Sequence, residues 1–326
     1  MYEIELVGID GANLLGYLAA LGTLRTLTLA DPGAEVRMRW ADGVRWTPIV
    51  CHSRISGQEG LVGALAPRVT PAVAVRTQRG VGRRQAGALS KDEVEKATAN
   101  CNRGFSRDFL NLTRAGFRAE LEGEALGPAQ RDVADFLTAI GSDCFPEKKG
   151  SDEPGTTELR AIGAGNNDGF LGLMRNIHVA TGVEDLRKAL FAEWDYSDPP
   201  PFMRWDPNEF RPHALRAGDP AKDNKRNNVR GANRLAIEAL PLFPTVPQRA
   251  VLRTVAFGDK DARAEVTWPI WLDPLSLNVV ASLLACEDVQ EADHSTLARR
   301  GVAQVFRAKR FTDGQYRNFS PARALL

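Results

Sequence analysis

The chain has 326 residues, 43% of them hydrophobic and 25% charged, with a formal net charge of +1. These values fit an ordinary globular protein of one large domain or two modest ones, and they exclude bulk disorder and a uniformly basic, histone-like coat. A surface for a polyanion would therefore require charge to be segregated within the fold. Cys51, Cys101, Cys144 and Cys286 stand far apart with no Cys-x-x-Cys pair, the pattern of reduced thiols rather than a disulfide framework. There is no signal-peptide core and no apolar run of membrane-spanning length, so the expectation is a cytoplasmic protein.

In chain order, Tyr2 to Val7 alternate apolar and polar, which predicts a half-buried strand. Asp10 and Asn13 offer caps to a helix with Leu14, Leu18, Leu21 and Leu24 on one face, and Gly16 and Gly22 suit close packing on a neighbour. Val36, Met38 and Trp40 alternate again; Asp42-Gly43 predicts a two-residue hairpin turn, with Val44 and Trp46 on the return strand. A glycine- and arginine-rich stretch follows, then a polar helical region over 91–112 and an amphipathic helix over 128–140 carrying Val133, Phe136, Leu137 and Ile140. Segment 146–157 reads as a loop. Helices are expected at 168–180, 183–191 and 231–239, and strands at 249–257 and 262–268 joined around Gly258.

Asp273-Pro274 predicts the start of an apolar helix over Leu275–Ala285, with aspartate as cap. Strand 302–311, a turn at Asp313-Gly314 and a return through Tyr316 and Phe319 close the chain. The expected fold is α+β, with mixed sheets and hairpins and several packed helices. It divides either into an N-terminal region 1–145 and a C-terminal region 158–326, or forms one compact domain. Trp205, Trp268 and Trp271 are read as core anchors of turns rather than base-stacking platforms.

Catalytic signatures are sparse. There is no phosphate loop, no His-Glu-x-x-His and no Gly-x-Ser-x-Gly. Gly163-Ala164-Gly165 has the wrong spacing for a dinucleotide fingerprint, and the four histidines share no metal-ligand spacing with cysteine. No cofactor or metal is expected.

Three acid-poor segments remain. Arg76, Arg79, Arg83 and Arg84 sit among glycines with Gln78, a composition that lets backbone amides and guanidinium groups approach phosphates. Lys222, Asn224, Lys225, Arg226, Asn227, Asn228, Arg230 and Arg234 combine cations for phosphate with amides for base edges or sugar hydroxyls. Arg307, Lys309 and Arg310 on the last long strand, with Arg317 across its turn, make a basic hairpin that can lie along a nucleic-acid backbone. The bland alternative for each is a solvated loop or a charge-protected edge strand.

The stretches Asn13-Leu14-Leu15-Gly16-Tyr17-Leu18-Ala19-Ala20-Leu21-Gly22-Thr23-Leu24-Arg25, Arg204-Trp205-Asp206-Pro207, Gly231-Ala232-Asn233-Arg234-Leu235-Ala236, Leu240-Pro241-Leu242-Phe243-Pro244 and Tyr316-Arg317-Asn318-Phe319-Ser320-Pro321-Ala322-Arg323 resemble the large-subunit-type proteins of type I CRISPR effector (Cascade) complexes, especially the divergent I-U or I-G-like subtype. The resemblance implies a subunit without chemistry of its own. Such a subunit holds one end of the guide RNA (crRNA), recognises the short motif flanking the double-stranded DNA target and helps open the duplex. It implies backbone and handle-binding subunits as partners, and a separate helicase-nuclease recruited after target binding. The chain is short for that family. Two rival readings stand beside it: a metal-dependent nuclease using Asp92, Glu93 and Glu95, and a protein-interaction scaffold.

Overall fold

A computed structural model describes residues 1–72, 96, 108–124, 131–161, 169–209, 228–248, 250–258, 265–313 and 316–326. Side chains at 124, 209, 312, 313, 316 and 317 fall outside that description. The fold is α+β, with helices packed around antiparallel sheets.

The opening follows its sequence pattern: β1 (Tyr2–Glu5), α1 (Leu14–Ala30), β2 (Val36–Ala41) and β3 (Thr47–His52). Asn13 caps α1, its side chain accepting from the Gly16 amide at 3.2 Å. The apolar run of α1 is not a stripe. Every residue from Leu14 to Leu27 is buried, as expected of a helix apolar all round, so α1 is the central rod of the molecule and not a surface helix.

The hairpin loop is longer than the Asp42-Gly43 signal predicts. Ala41 pairs with Thr47, leaving residues 42–46 as a five-residue loop. Trp46 is drawn out of the strand because its carbonyl accepts from the Gly11 amide at 2.8 Å and its amide donates to Asp10 Oδ1 at 3.3 Å.

The next helices are α2 (Gly57–Val69), α3 (Arg114–Glu124) and α4 (Arg131–Ile140). Strands β4 (Gly141–Pro146) and β5 (Pro154–Thr156) pair with each other, so the ends of the expected 146–157 loop belong to a hairpin. Helices α5 (Gly169–Ala180), α6 (Val183–Phe191) and α7 (Arg230–Ala239) agree with their apolar periodicity.

Strands β6 (Thr245–Gln248) and β7 (Val251–Thr254) form a hairpin; β8 (Glu265–Trp271) meets the chain before Gly258 at a Phe257–Val266 bridge, as expected, and also joins the C-terminal sheet. Leu275–Ser276 is not helical but forms β9, which pairs with Arg37 and Met38 on β2. The following helix, α8 (Leu277–Leu284), therefore has Ser276, not Asp273, at its N-cap position. Short helices α9 (Glu287–Glu291) and α10 (His294–Arg299) lead to β10 (Val302–Asp313), β11 (Tyr316–Phe319) and β12 (Arg323–Ala324).

One sheet runs β1-β3-β2-β9; in the other, β10 pairs β8 on one side and β11 and β12 on its other edge. An aromatic cluster ties the two together. Tyr17 of α1 stacks on Trp40 of β2 with centroids 5.6 Å apart, and Trp268 and Trp271 of β8 complete it at 5.8 and 6.4 Å from Tyr17. The indole N–H groups of Trp268 and Trp271 donate to the carbonyls of Gly11 and Met38 at 2.9 and 2.8 Å. One continuous core runs from Ile4 to Phe319, drawing on both 1–145 and 158–326.

Candidate nucleic-acid interface

Helix α7 is the hub of this region. It lies so close to α1 that a Cβ on Gly22 would run into the carbonyl of Leu235, and a Cβ on Gly231 would run into Asp185 O at the start of α6. Close approach of three backbones explains why glycine stands at both positions. Because α7 is buried along its whole length, its polar side chains must find partners inside the protein.

Arg234 and Glu238 stand one turn apart and pair at 2.8 Å, both essentially without exposure. Glu238 also meets Arg68 Nε of α2 at 3.1 Å and Arg25 Nη1 of α1 at 3.3 Å. Arg25 and Arg68 both pair with Asp132, which lies in the first turn of α4, where the helix dipole favours an acid. Arg25, Asp132, Arg68 and Glu238 thus close a ring of alternating charge. Arg234 Nε donates to Nδ1 of the buried His178 at 2.9 Å, which makes Nδ1 the acceptor nitrogen of that imidazole. Burial alone would raise the Glu238 carboxyl, but the guanidinium groups of Arg234, Arg68 and Arg25 outweigh it and hold the group at about 2. Arg68, also largely buried, is pushed further up by Glu238 and Asp132.

The position of each expected contact residue follows from this packing. Arg76, Gln78, Arg79, Arg83 and Arg84, and likewise Lys222, Asn224, Lys225, Arg226 and Asn227, lie outside the described residues, as do Asp92, Glu93, Glu95 and the side chain of Arg317. Asn228 and Arg234 are corrections to the surface reading, since both are fully buried. Asn228 donates to the carbonyls of Pro199 and Pro201 at 3.3 and 3.0 Å and accepts from Asn233 at 2.9 Å. Arg230 is mostly buried, 3.6 Å from Asp185 and donating to Ala180 O at 3.4 Å.

On β10, Arg307 turns inward to Thr267 Oγ1 at 2.8 Å and to the Gln290 carbonyl, and Arg310 donates to Glu158 O at 2.5 Å. Burial pushes the Arg307 guanidinium down from its ordinary value. Lys309 is exposed and has no ion-pair partner among the described residues. Among the described residues, Asn228, Arg230, Arg234, Arg307, Lys309 and Arg310 do not form one cationic trough.

The structure does bring together the points where two of those segments join the fold. The last turn of α2 docks on α7 through Arg234 Nη2, which donates to Arg68 O at 3.2 Å, four residues before the last described residue, Ala72. Asn228 leads directly into α7 through its cap residue, Val229. Arg234 stands four positions into that helix from Arg230, about 6 Å along its axis. The hairpin is linked to the same helix by contacts: Arg310 to Glu158, Trp205 Nε1 to Leu159 O at 2.9 Å, and the Met203 amide to Asn233 Oδ1 at 2.8 Å.

A second buried polar site was not read from the sequence. Asp206, 1% exposed, accepts from Asn13 Nδ2 and Tyr196 Oη at 2.8 Å each and from the Asn208 amide at 2.7 Å. Burial raises its carboxyl, against those hydrogen bonds. Tyr196 and Arg204, both preceding Asp206 in the chain, adopt left-handed backbone, φ 52° and 66°. Among the described residues, no three His, Cys, Asp or Glu side chains converge to hold a metal, and no helix is long and apolar enough to cross a membrane. No protein-family model matches this chain, and no curated protein matches it.

Proposed function

We propose that this protein is a nucleic-acid-binding subunit without catalytic chemistry, of the CRISPR surveillance type that its sequence resembles. In that role it binds the end of a guide RNA and the flanking duplex of a DNA target, alongside backbone and handle-binding subunits. Cutting falls to a separate helicase-nuclease.

The observation that supports this reading is the shared anchorage on α7. Two cation-rich segments, 76–84 and 222–227, about 140 positions apart in sequence, flank described residues that meet on one helix. That helix is locked to α1 and α2 by buried ion pairs. A rigid support for two phosphate-gripping segments lets them act on one polyanion with little ordering cost in the scaffold. The exposed Lys309 adds a third point of positive charge.

The test is a salt titration of binding to duplex DNA and to guide-like RNA. Each lysine or arginine that neutralises a phosphate contributes about −0.9 to the logarithmic salt slope on duplex DNA. A triple variant Lys222→Glu, Lys225→Glu and Arg226→Glu is expected to bind more weakly and to flatten that slope by about 2 to 3. Unchanged affinity and slope in this variant and in Arg79→Glu/Arg83→Glu would sink the reading. Arg230 and Arg234 are unsuitable for the test because their side chains support the fold.

A further inference from the structure

The hairpin loop between β2 and β3 carries chemistry opposite to that of the basic segments. With the chain after β1 it forms a shallow cleft of about 350 Å³, whose lining includes Val7, Val44, Glu5 and Asp42. Val44 is fully exposed and Val7 is 48% exposed, so apolar surface in the lining faces water. Beside it, Arg45 Nη2 lies 2.9 Å from Glu193 Oε1, which brings the loop against residues 193–196, including the half-buried Trp194 and Tyr196 with rings 6.2 Å apart. Exposed acids outnumber cations here: Glu5 and Asp42 in the lining and Glu193 beside it, against Arg45.

We infer that this cleft docks a basic, apolar segment of a partner protein, in which arginines or lysines alternate with aliphatic side chains. Charge complementarity selects that occupant. A nucleic-acid strand would set its phosphates against Glu5 and Asp42 in the lining and Glu193 beside it, whereas a guanidinium is drawn to them. Arg45 already illustrates the fit, since its guanidinium sits on Glu193 in an exposed pair that leaves the carboxylate 80% accessible to a second cation. Val7 and Val44 supply the apolar contact that keeps such a segment in place. This proposal is independent of the nucleic-acid reading and concerns a different face of the protein.

The experiment measures fluorescence anisotropy of a labelled peptide of alternating arginine and leucine with the full chain. The expected result is saturable binding that the alternating glutamate–leucine peptide does not show. It should weaken at least about tenfold in Asp42→Arg/Glu193→Arg and several-fold in Val44→Ser. All three positions are exposed, so these variants keep the fold. Three outcomes would overturn the proposal. They are no binding to the wild-type chain, equal affinity in the charge-reversed variant, and a dimer in sedimentation that Val44→Ser dissolves, which would make a second copy the occupant.

Discussion

Among the described residues two carboxylates are buried, and they are held in opposite ways. Glu238 is surrounded by three guanidinium groups and kept ionised far below the usual carboxylate range. Asp206 is surrounded by neutral donors (an amide, a phenol and a backbone N–H), and burial raises it. Hydrogen bonds from neutral groups solvate a charge locally but do not cancel it, whereas charged partners do. Glu238 therefore behaves as a structural keystone that needs its charge, and Asp206 as a polar joint whose charge is a cost.

The most severe way to break the comparison is Glu238→Gln, which leaves three arginines around an uncharged group. A loss of about 3–5 kcal/mol in urea unfolding is expected. The downward displacement from 4.5 to about 2 gives about 3 kcal/mol on its own, in agreement. A loss below about 1 kcal/mol would show that Glu238 is not the keystone.

Next comes Gly22→Ala, which forces α1 and α7 apart and is expected to cost about 1–3 kcal/mol or more. Asp206→Asn follows, at about 1–3 kcal/mol, because the new amide must point its NH2 either at Asn13 and Tyr196 or at the Asn208 N–H, donor against donor.

Acid sharpens the contrast. The contribution of Glu238 is complete above its unfolded value of 4.5 and is lost as pH falls toward about 2, so the gap between wild type and Glu238→Gln narrows on acidification. Asp206, raised in the fold, takes up its proton more readily when folded. Wild type should therefore gain on Asp206→Asn as pH falls. Unfolding titrations in which both gaps move the same way would refute the distinction. The smallest expected effect is that of Lys309→Glu, within about 0.5 kcal/mol in stability.

The sequence reveals much of the scaffold because its elements are periodic and capped. Asn13 caps α1 and the apolar faces of α4, α5 and α6 are buried as their spacing predicts. It misleads where tertiary contacts compete with local signals. Asp42-Gly43 promises a tight turn, but Trp46 is pulled away by Gly11 and Asp10. Asp273-Pro274 promises a helix start, but Leu275 and Ser276 complete the β2 edge first.

At the candidate interface, charge in a line of sequence does not say which way a side chain points. Arg234 reads as a phosphate contact and is instead bound to Glu238 and His178. Its i,i+4 spacing to Glu238 is the signal that favours an internal pair, and Arg25 within an unbroken apolar helix is the corresponding signal on α1.

The seam between α1 and α7 has one more consequence. At Gly22 the two helices are spaced by main chain alone, and a main-chain contact has no rotamer through which to yield. A tug on either flank of α7 is thus passed to α1 as displacement of a stiff rod, and from its Tyr17 to the indole stack that bolts one sheet to the other.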